Sequence, residues 1–196
     1  MNLPNKLTIS RILLTPFFMF FLFAKGVTGK SVALIIFLIA ASTDLLDGFI
    51  AKRTNQITDF GKLMDPIADK ILIISAFLAF VEMELVPAWM VVIIVFREVA
   101  VTGLRIFALT KRVIIPSDDG GRHKTASQSI AVFVILLFLI FREAGIRASR
   151  FWDHNTEALY KNAIFALMLI TVTLTLISGI SYLIKNRRVY LNAKTD

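Results

Sequence analysis

Residues Ser42–Lys70 read STDLLDGFIAKRTNQITDFGKLMDPIADK and carry five aspartates between two apolar runs, Ser31–Ala41 and Ile71–Val81. Asp44 and Asp47 are three residues apart, and Asp65 and Asp69 are four apart. On an α-helix either spacing puts both carboxylates on one face. The flanking apolar runs predict two helices joined by a short loop, an antiparallel hairpin that brings all four carboxylates together. Asp59 falls outside that register and is expected as a loop or capping residue.

The rest of the chain says what surrounds this hairpin. Of 196 residues 57% are hydrophobic, and the mean hydropathy is +0.74, above the usual range of a soluble domain. Apolar segments run over Leu7–Ala24, Ser31–Ile50, Ile71–Val81, Val86–Phe96 continuing to Leu109, Thr125–Phe141 and Ala158–Ile184. A helix needs about 20 residues to cross the hydrocarbon core. The third and fourth segments reach that length only by including Asp65–Lys70 and Arg97–Glu98. The expected architecture is therefore all-α: six transmembrane helices in one integral membrane domain over residues 1–196.

A net charge of +8 in a soluble chain would raise nucleic acid as a partner. In a membrane chain the placement of Lys and Arg sets topology instead. Lys6, Arg11, Lys52, Arg53, Lys62, Lys70, Lys111, Arg112, Arg122, Lys124 and the tail from Lys185 to Lys194 fall on one side. Fewer bases, Lys25, Lys30, Arg142, Arg147, Arg150 and Lys161, fall on the other. Both termini are thus expected in the cytoplasm, with no nucleic-acid partner and a basic inner face that attracts anionic lipid headgroups or phosphorylated solutes. The chain has no cysteine, which excludes disulfide and thiol chemistry. The first apolar segment is followed by LFAKGVTGK without a small-residue cleavage site, so it is expected to be retained. VTGK and PSDDGG read as turns between helices.

Four carboxylates within reach of hydrocarbon are costly, about 2.5–3.5 kcal/mol each at mid-bilayer on insertion scales. Two things could offset this. One is a wet cleft in which Lys or Arg pairs with them. The other is divalent cations held by oxygens from facing helices. With His123 and His154 the only histidines, all-oxygen ligation favours Mg²⁺ or Mn²⁺ over zinc. Gly48, Ala51 and Gly61 remove bulk beside the carboxylates, whether for ligand approach or for ordinary small-residue helix packing.

Asp44-x-x-Asp47-Gly48-x-x-Ala51-Lys52, then eight residues, then Gly61-x-x-x-Asp65-x-x-x-Asp69 resembles the signature of the CDP-alcohol phosphatidyltransferases. It departs at Lys52, where that family usually has arginine; lysine supplies charge to a phosphate but no planar fork. LPNKLTISRILLTPFF (matching at Pro4, Asn5, Leu7, Thr8 and Arg11), FREVAVTGLR and the Lys124–Thr125 pair of GGRHKTASQ are similar to the branch of the family whose acceptor is glycerol 3-phosphate.

The resemblance implies six helices around a polar, cytoplasm-facing metal site, usually in a homodimer. It implies transfer of the phosphatidyl group of CDP-diacylglycerol to sn-glycerol 3-phosphate, with release of CMP. Two ions, Mg²⁺ or Mn²⁺, would be held by Asp44, Asp47, Asp65 and Asp69, with Asp69 also the catalytic base. Gly48, Ala51, Lys52 and Gly61 would line the CDP-diacylglycerol side. Arg105, Lys124, Thr125 and Arg11 would bind the acceptor phosphate through charge-assisted bonds. Glu98, Thr102 and Arg105 share a helix face, while Arg97 with Glu98 reads equally well as a structural ion pair. GGRHKT lacks the glycine that a P-loop needs before its lysine; His123 is expected in an exposed loop and His154 at the outer interface beside Trp152. Two other readings stay open: another acceptor, such as inositol phosphate, serine or a phospholipid, and a divalent-cation transporter with the aspartates as its permeation site.

Overall fold

The computed structural model describes the backbone of residues 3–54, 59–110, 119–148 and 154–187, and the side chains of 9–43, 70–104, 106–108, 125–145 and 155–187. Among these residues every regular element is a helix. The order is α1 (Leu3–Phe23), α2 (Val27–Thr54), α3 (Asp59–Glu82), α4 (Ala88–Thr110), α5 (Asp119–Ala148) and α6 (His154–Lys185).

Apolar runs of this length, free of interior breakers apart from Pro16 and Pro66, propagate as helices once the first turn has formed. Pro16 lies inside α1 and has no N–H to donate back along the helix. In the same stretch the Thr15 hydroxyl donates to the Arg11 carbonyl at 3.0 Å. Ala24, Lys25 and Gly26 then turn the chain, with Gly26 at φ 88°, a left-handed conformation that costs glycine little.

Lys30 is placed differently from the expectation of an outer-loop base. It stands in the first turn of α2, is buried, and its Nζ donates to the Leu22 carbonyl. That carbonyl is one of those the last turn of a helix leaves without an intrahelical donor, so the ammonium caps α1 and ties the hairpin shut. The segment around His123 also departs from expectation. Gly120, Gly121 and His123 belong to α5, because a helix can open on an aspartate and carry glycine in its first turn at modest cost. Asp59 likewise opens α3 and His154 opens α6.

The end of α3 is a Schellman turn. Leu85 N–H donates to the Phe80 carbonyl at 2.9 Å and Glu84 N–H to the Val81 carbonyl at 2.9 Å. Glu84 occupies the left-handed position, at φ 56°, where glycine is usual. Glu84→Gly is therefore expected to stabilise the protein by up to about 1 kcal/mol, the relief of the Cβ clash less the entropy glycine adds to the unfolded chain. Thermal unfolding in detergent checks this; a lower Tm would mean that the Glu84 side chain holds the turn.

Packing closes the described helices into a ring. α1 packs against α2 and α3, α2 against α5, α5 against α6, α6 against α4, and α4 against α3, with α3 also touching α5 across the middle. The core is apolar where α1, α2, α3 and α5 meet, around Phe18, Leu22, Phe37, Ala76, Phe77, Phe80, Ile135 and Leu136. The outside is apolar too: Phe17 and Phe20 on α1, Ile39 on α2, Leu78 on α3, Phe96 and Val99 on α4, Phe141 on α5 and Ile170 and Ile177 on α6 are all exposed. Large apolar side chains on the outside of all six helices suit lipid, not water. Thr125–Gly145 and Asn155–Lys185 are each long and apolar enough to cross a membrane, and Ile9–Phe23 and Val27–Thr43 are shorter apolar stretches. This is a membrane protein.

Candidate active site

Asp44, Asp47, Gly48, Ala51 and Lys52 lie in the last turns of α2, while Gly61, Asp65 and Asp69 lie in the first half of α3. The helical backbone keeps the spacing that puts each aspartate pair on one face. The side chains of these eight residues lie outside the described set, as do those of Arg105 and Lys124.

Among the described residues α2 and α3 do not form one of the closely packed helix pairs that the expected hairpin would make. α1 packs against both aspartate-bearing helices. Its register with α2 follows from described contacts. The two helices are joined by a three-residue turn, Lys30 reaches Leu22, and the Phe18 and Phe37 rings pack with centroids 6.2 Å apart. Seven residues inward from Phe18 is Arg11, and seven residues beyond Phe37 is Asp44, about 10 Å along each helix. Arg11 therefore lies level with the backbone of Asp44. It is 2% exposed, a buried guanidinium at the depth where the sequence demands a counter-charge.

Going toward the middle of the bundle, the residue after Asp69 opens a described polar network. Lys70 Nζ donates to the Thr102 hydroxyl on α4 and lies 3.5 Å from Glu98 Oε2. Arg97 Nη1 lies 3.5 Å from the other oxygen, Glu98 Oε1. Arg97 Nη2 donates to Ser178 Oγ on α6 at 2.9 Å. Gly179 makes room for this arginine, since a Cβ there would stand 2.7 Å from Arg97 Cγ. Arg97 and Glu98 are both buried. The face expected to join Glu98, Thr102 and Arg105 is thus engaged by Lys70 at its first two positions, and Arg105 follows three residues further along α4. The Arg97–Glu98 pair is an ion pair and at the same time the link from α4 to α6.

Thr125 is partly buried on α5, three residues before Gln128. Gln128 is buried, and its Nε2 donates to Thr175 Oγ1 on α6 at 3.4 Å. Arg11, Arg105, Lys124 and Thr125 come from three helices, and no contact among the four falls within the described side chains. Sequence reasoning missed Lys70 as a site-neighbouring cation, and it missed the α6 contribution. The signal for the second was present: Thr171, Thr175, Ser178 and Tyr182 recur at intervals of four, three and four on an otherwise apolar helix, and all four are buried.

Among the described residues no three His, Asp or Glu side chains come together as metal ligands; the four aspartates are not among them. Their donor set fits a hard divalent cation nonetheless, with carboxylate oxygens only, two from each of two helices. Such a set suits Mg²⁺ or Mn²⁺ and not a soft metal.

Comparison with known proteins bears on the same residues. A family model described as CDP-alcohol phosphatidyltransferase matches residues 1–177. The chain is 40% identical to the Bacillus subtilis CDP-diacylglycerol–glycerol-3-phosphate 3-phosphatidyltransferase, covering 69% of this chain and 77% of that one. It is 35% identical to the protein of that name from Rickettsia felis, over 69% and 75% of the two chains. With the Salmonella paratyphi A protein of that name it shares 33% identity, with 93% of each chain covered.

Proposed function

The chain belongs to the CDP-alcohol phosphatidyltransferase family, and from that premise we propose that it transfers the phosphatidyl group of CDP-diacylglycerol to sn-glycerol 3-phosphate. The products are phosphatidylglycerophosphate and CMP, a step of phospholipid biosynthesis. The observation that carries this reading is the pair of aspartate pairs on α2 and α3, inside a family match that runs from residue 1 to 177. The choice of acceptor follows the names of the relatives.

The family is divalent-metal dependent. In our reading Asp44, Asp47, Asp65 and Asp69 hold two ions, Mg²⁺ or Mn²⁺. Such ions supply charge neutralisation to a diphosphate and to the leaving CMP. The chain's own residues do the rest. Asp69 accepts the proton of the acceptor hydroxyl. The acceptor oxygen bonds to the phosphorus that carries diacylglycerol, the bond from that phosphorus to the bridging oxygen breaks, and CMP leaves with that oxygen. Gly48, Ala51 and Gly61 leave room beside the carboxylates for the nucleotide end of the donor, and Lys52 offers it a cation. Arg105, Lys124, Thr125 and Arg11 hold the acceptor phosphate. Arg11, buried and level with Asp44, adds positive charge next to the site.

The whole chain acts as one six-span membrane domain. Both termini and the aspartate ends of α2 and α3 face the cytoplasm, where a water-soluble acceptor meets a donor whose acyl chains stay in the bilayer. The positive-inside distribution of Lys and Arg supports that orientation. A second copy covers part of the outward apolar surface in a homodimer, the assembly usual for the family, and membrane lipids cover the remainder.

An acceptor panel tests the reaction. Purified protein with CDP-diacylglycerol and a divalent cation should release CMP with glycerol 3-phosphate, and the lipid product should have the mass of phosphatidylglycerophosphate. Equal turnover with inositol phosphate or serine would overturn the acceptor, and no CMP with any alcohol would overturn the class.

Arg105 is the sharper test of the acceptor site. Because a hydrogen bond to a charged group contributes about 1.5–3 kcal/mol, Arg105→Ala should lower kcat/KM for glycerol 3-phosphate by roughly 10- to 100-fold and leave CDP-diacylglycerol binding near normal. Thr125→Ala should cost less, since it removes one neutral hydroxyl. An unchanged acceptor KM with reduced thermal stability would make Arg105 a structural residue.

A further inference from the structure

We propose that Glu98 is a positioning residue that acts through Lys70: it holds the Lys70 ammonium on α4, so that this cation does not neutralise the carboxylates of α3. The inference rests on the reading of Asp65 and Asp69 as cation ligands. It adds a residue on another helix, one that touches neither substrate nor metal.

Lys70 follows Asp69 directly, which places a flexible cation beside the carboxylates that must stay available to divalent ions. About 100° of helix rotation separates neighbouring residues, and a four-carbon stem can swing through that arc. In the structure it does not. Lys70 Nζ donates to Thr102 and lies 3.5 Å from Glu98 Oε2, both on α4. Glu98 cannot simply follow the lysine, because its other oxygen faces Arg97 at 3.5 Å. Arg97 in turn is fixed to Ser178 at 2.9 Å and seated on Gly179. The anchor of the Lys70 clamp is therefore α6, on the far side of α4 from α3.

Stability alone does not account for such a network. Buried ion pairs are often no more stabilising than apolar residues of similar size, and charges inside a membrane are costly and usually functional. Lys70 and Glu98 make sense together if the lysine has to be kept in a particular place.

Mn²⁺ alone is the probe, titrated by electron paramagnetic resonance into detergent-solubilised full-length protein without substrate. Wild type should bind Mn²⁺. Glu98→Gln, which keeps the shape and removes the charge, should raise the Kd at least 10-fold, because the released ammonium turns to the α3 carboxylates. Lys70→Met alone should bind within about threefold of wild type, and Lys70→Met with Glu98→Gln should return to that range. Glu98→Gln with wild-type affinity, or a double variant as weak as Glu98→Gln, would overturn the proposal. So would weak binding by Lys70→Met, which would make the lysine itself part of the site. If Glu98→Gln yields no folded protein, Lys70→Met and the double variant still decide by the same thresholds. Failure of wild type to bind Mn²⁺ would instead sink the aspartate site, and this inference with it.

Discussion

Asp69→Asn is expected to reduce turnover by roughly 10²- to 10⁴-fold, the range a positioned general base contributes, while CDP-diacylglycerol binding falls far less. The expectation comes from the place of Asp69 among the four aspartates. It is the last in chain order, directly before the Lys70 clamp that joins α3 to α4. An amide at this position keeps the volume and removes both the charge and the proton-accepting capacity. A group needed only in the transition state shows its loss in kcat, whereas a group that holds the substrate in the ground state shows it in KM. Steady-state kinetics with a separate donor-binding measurement decide between them. Near-normal turnover would remove Asp69 as the base, and an equal loss of donor binding would make it chiefly a ligand.

The helices were legible because each is built on an apolar run, and the observed α1 to α6 overlie the six expected segments. Their ends were less so. Polar residues close to a membrane surface read as loop, yet α2 continues through Lys52 to Thr54 and α3 begins at Asp59. The aspartate pairs therefore sit on helix, as their spacing implied, and only residues 55–58 separate the two elements. Gly120 and Gly121 misled for the same reason, as turn residues that the start of a helix tolerates.

What pairs with the buried charges was not legible. Spacing along one helix reveals a face, and Glu98 with Thr102 was such a face, but the helix opposite depends on the order of the ring. Nothing in the sequence says that α6 packs beside α4, so Ser178 as the anchor of Arg97 could not be foreseen. Nor could Lys30, which has the composition of a loop lysine and the position of a helix cap. Arg11 was found by resemblance, and its depth level with Asp44 follows only from the Phe18–Phe37 contact.

Removal of divalent cations should abolish activity altogether and lower the thermal stability. Four carboxylates on two helices that share the neighbour α1 repel one another, and a diphosphate donor brings further negative charge to the same place. Arg11, buried and level with Asp44, adds one positive charge from α1, and Lys70 is engaged by Glu98. Excess chelator should therefore bring CMP release below detection, and Mg²⁺ or Mn²⁺ should restore it. Because a cation that binds only the folded protein stabilises it by mass action, the Tm should rise as Mg²⁺ is added, and that readout needs no substrate. Asn at Asp44, Asp47 or Asp65 should move the cation titration to concentrations at least about 10-fold higher, since even a supporting residue around a metal is worth 10- to 100-fold in affinity. Steady turnover in excess chelator would exclude the metal-dependent mechanism. If all three variants kept the wild-type titration, the cations would have to be held elsewhere, and the carboxylates of α2 and α3 would have to be offset by the chain's own Lys and Arg side chains.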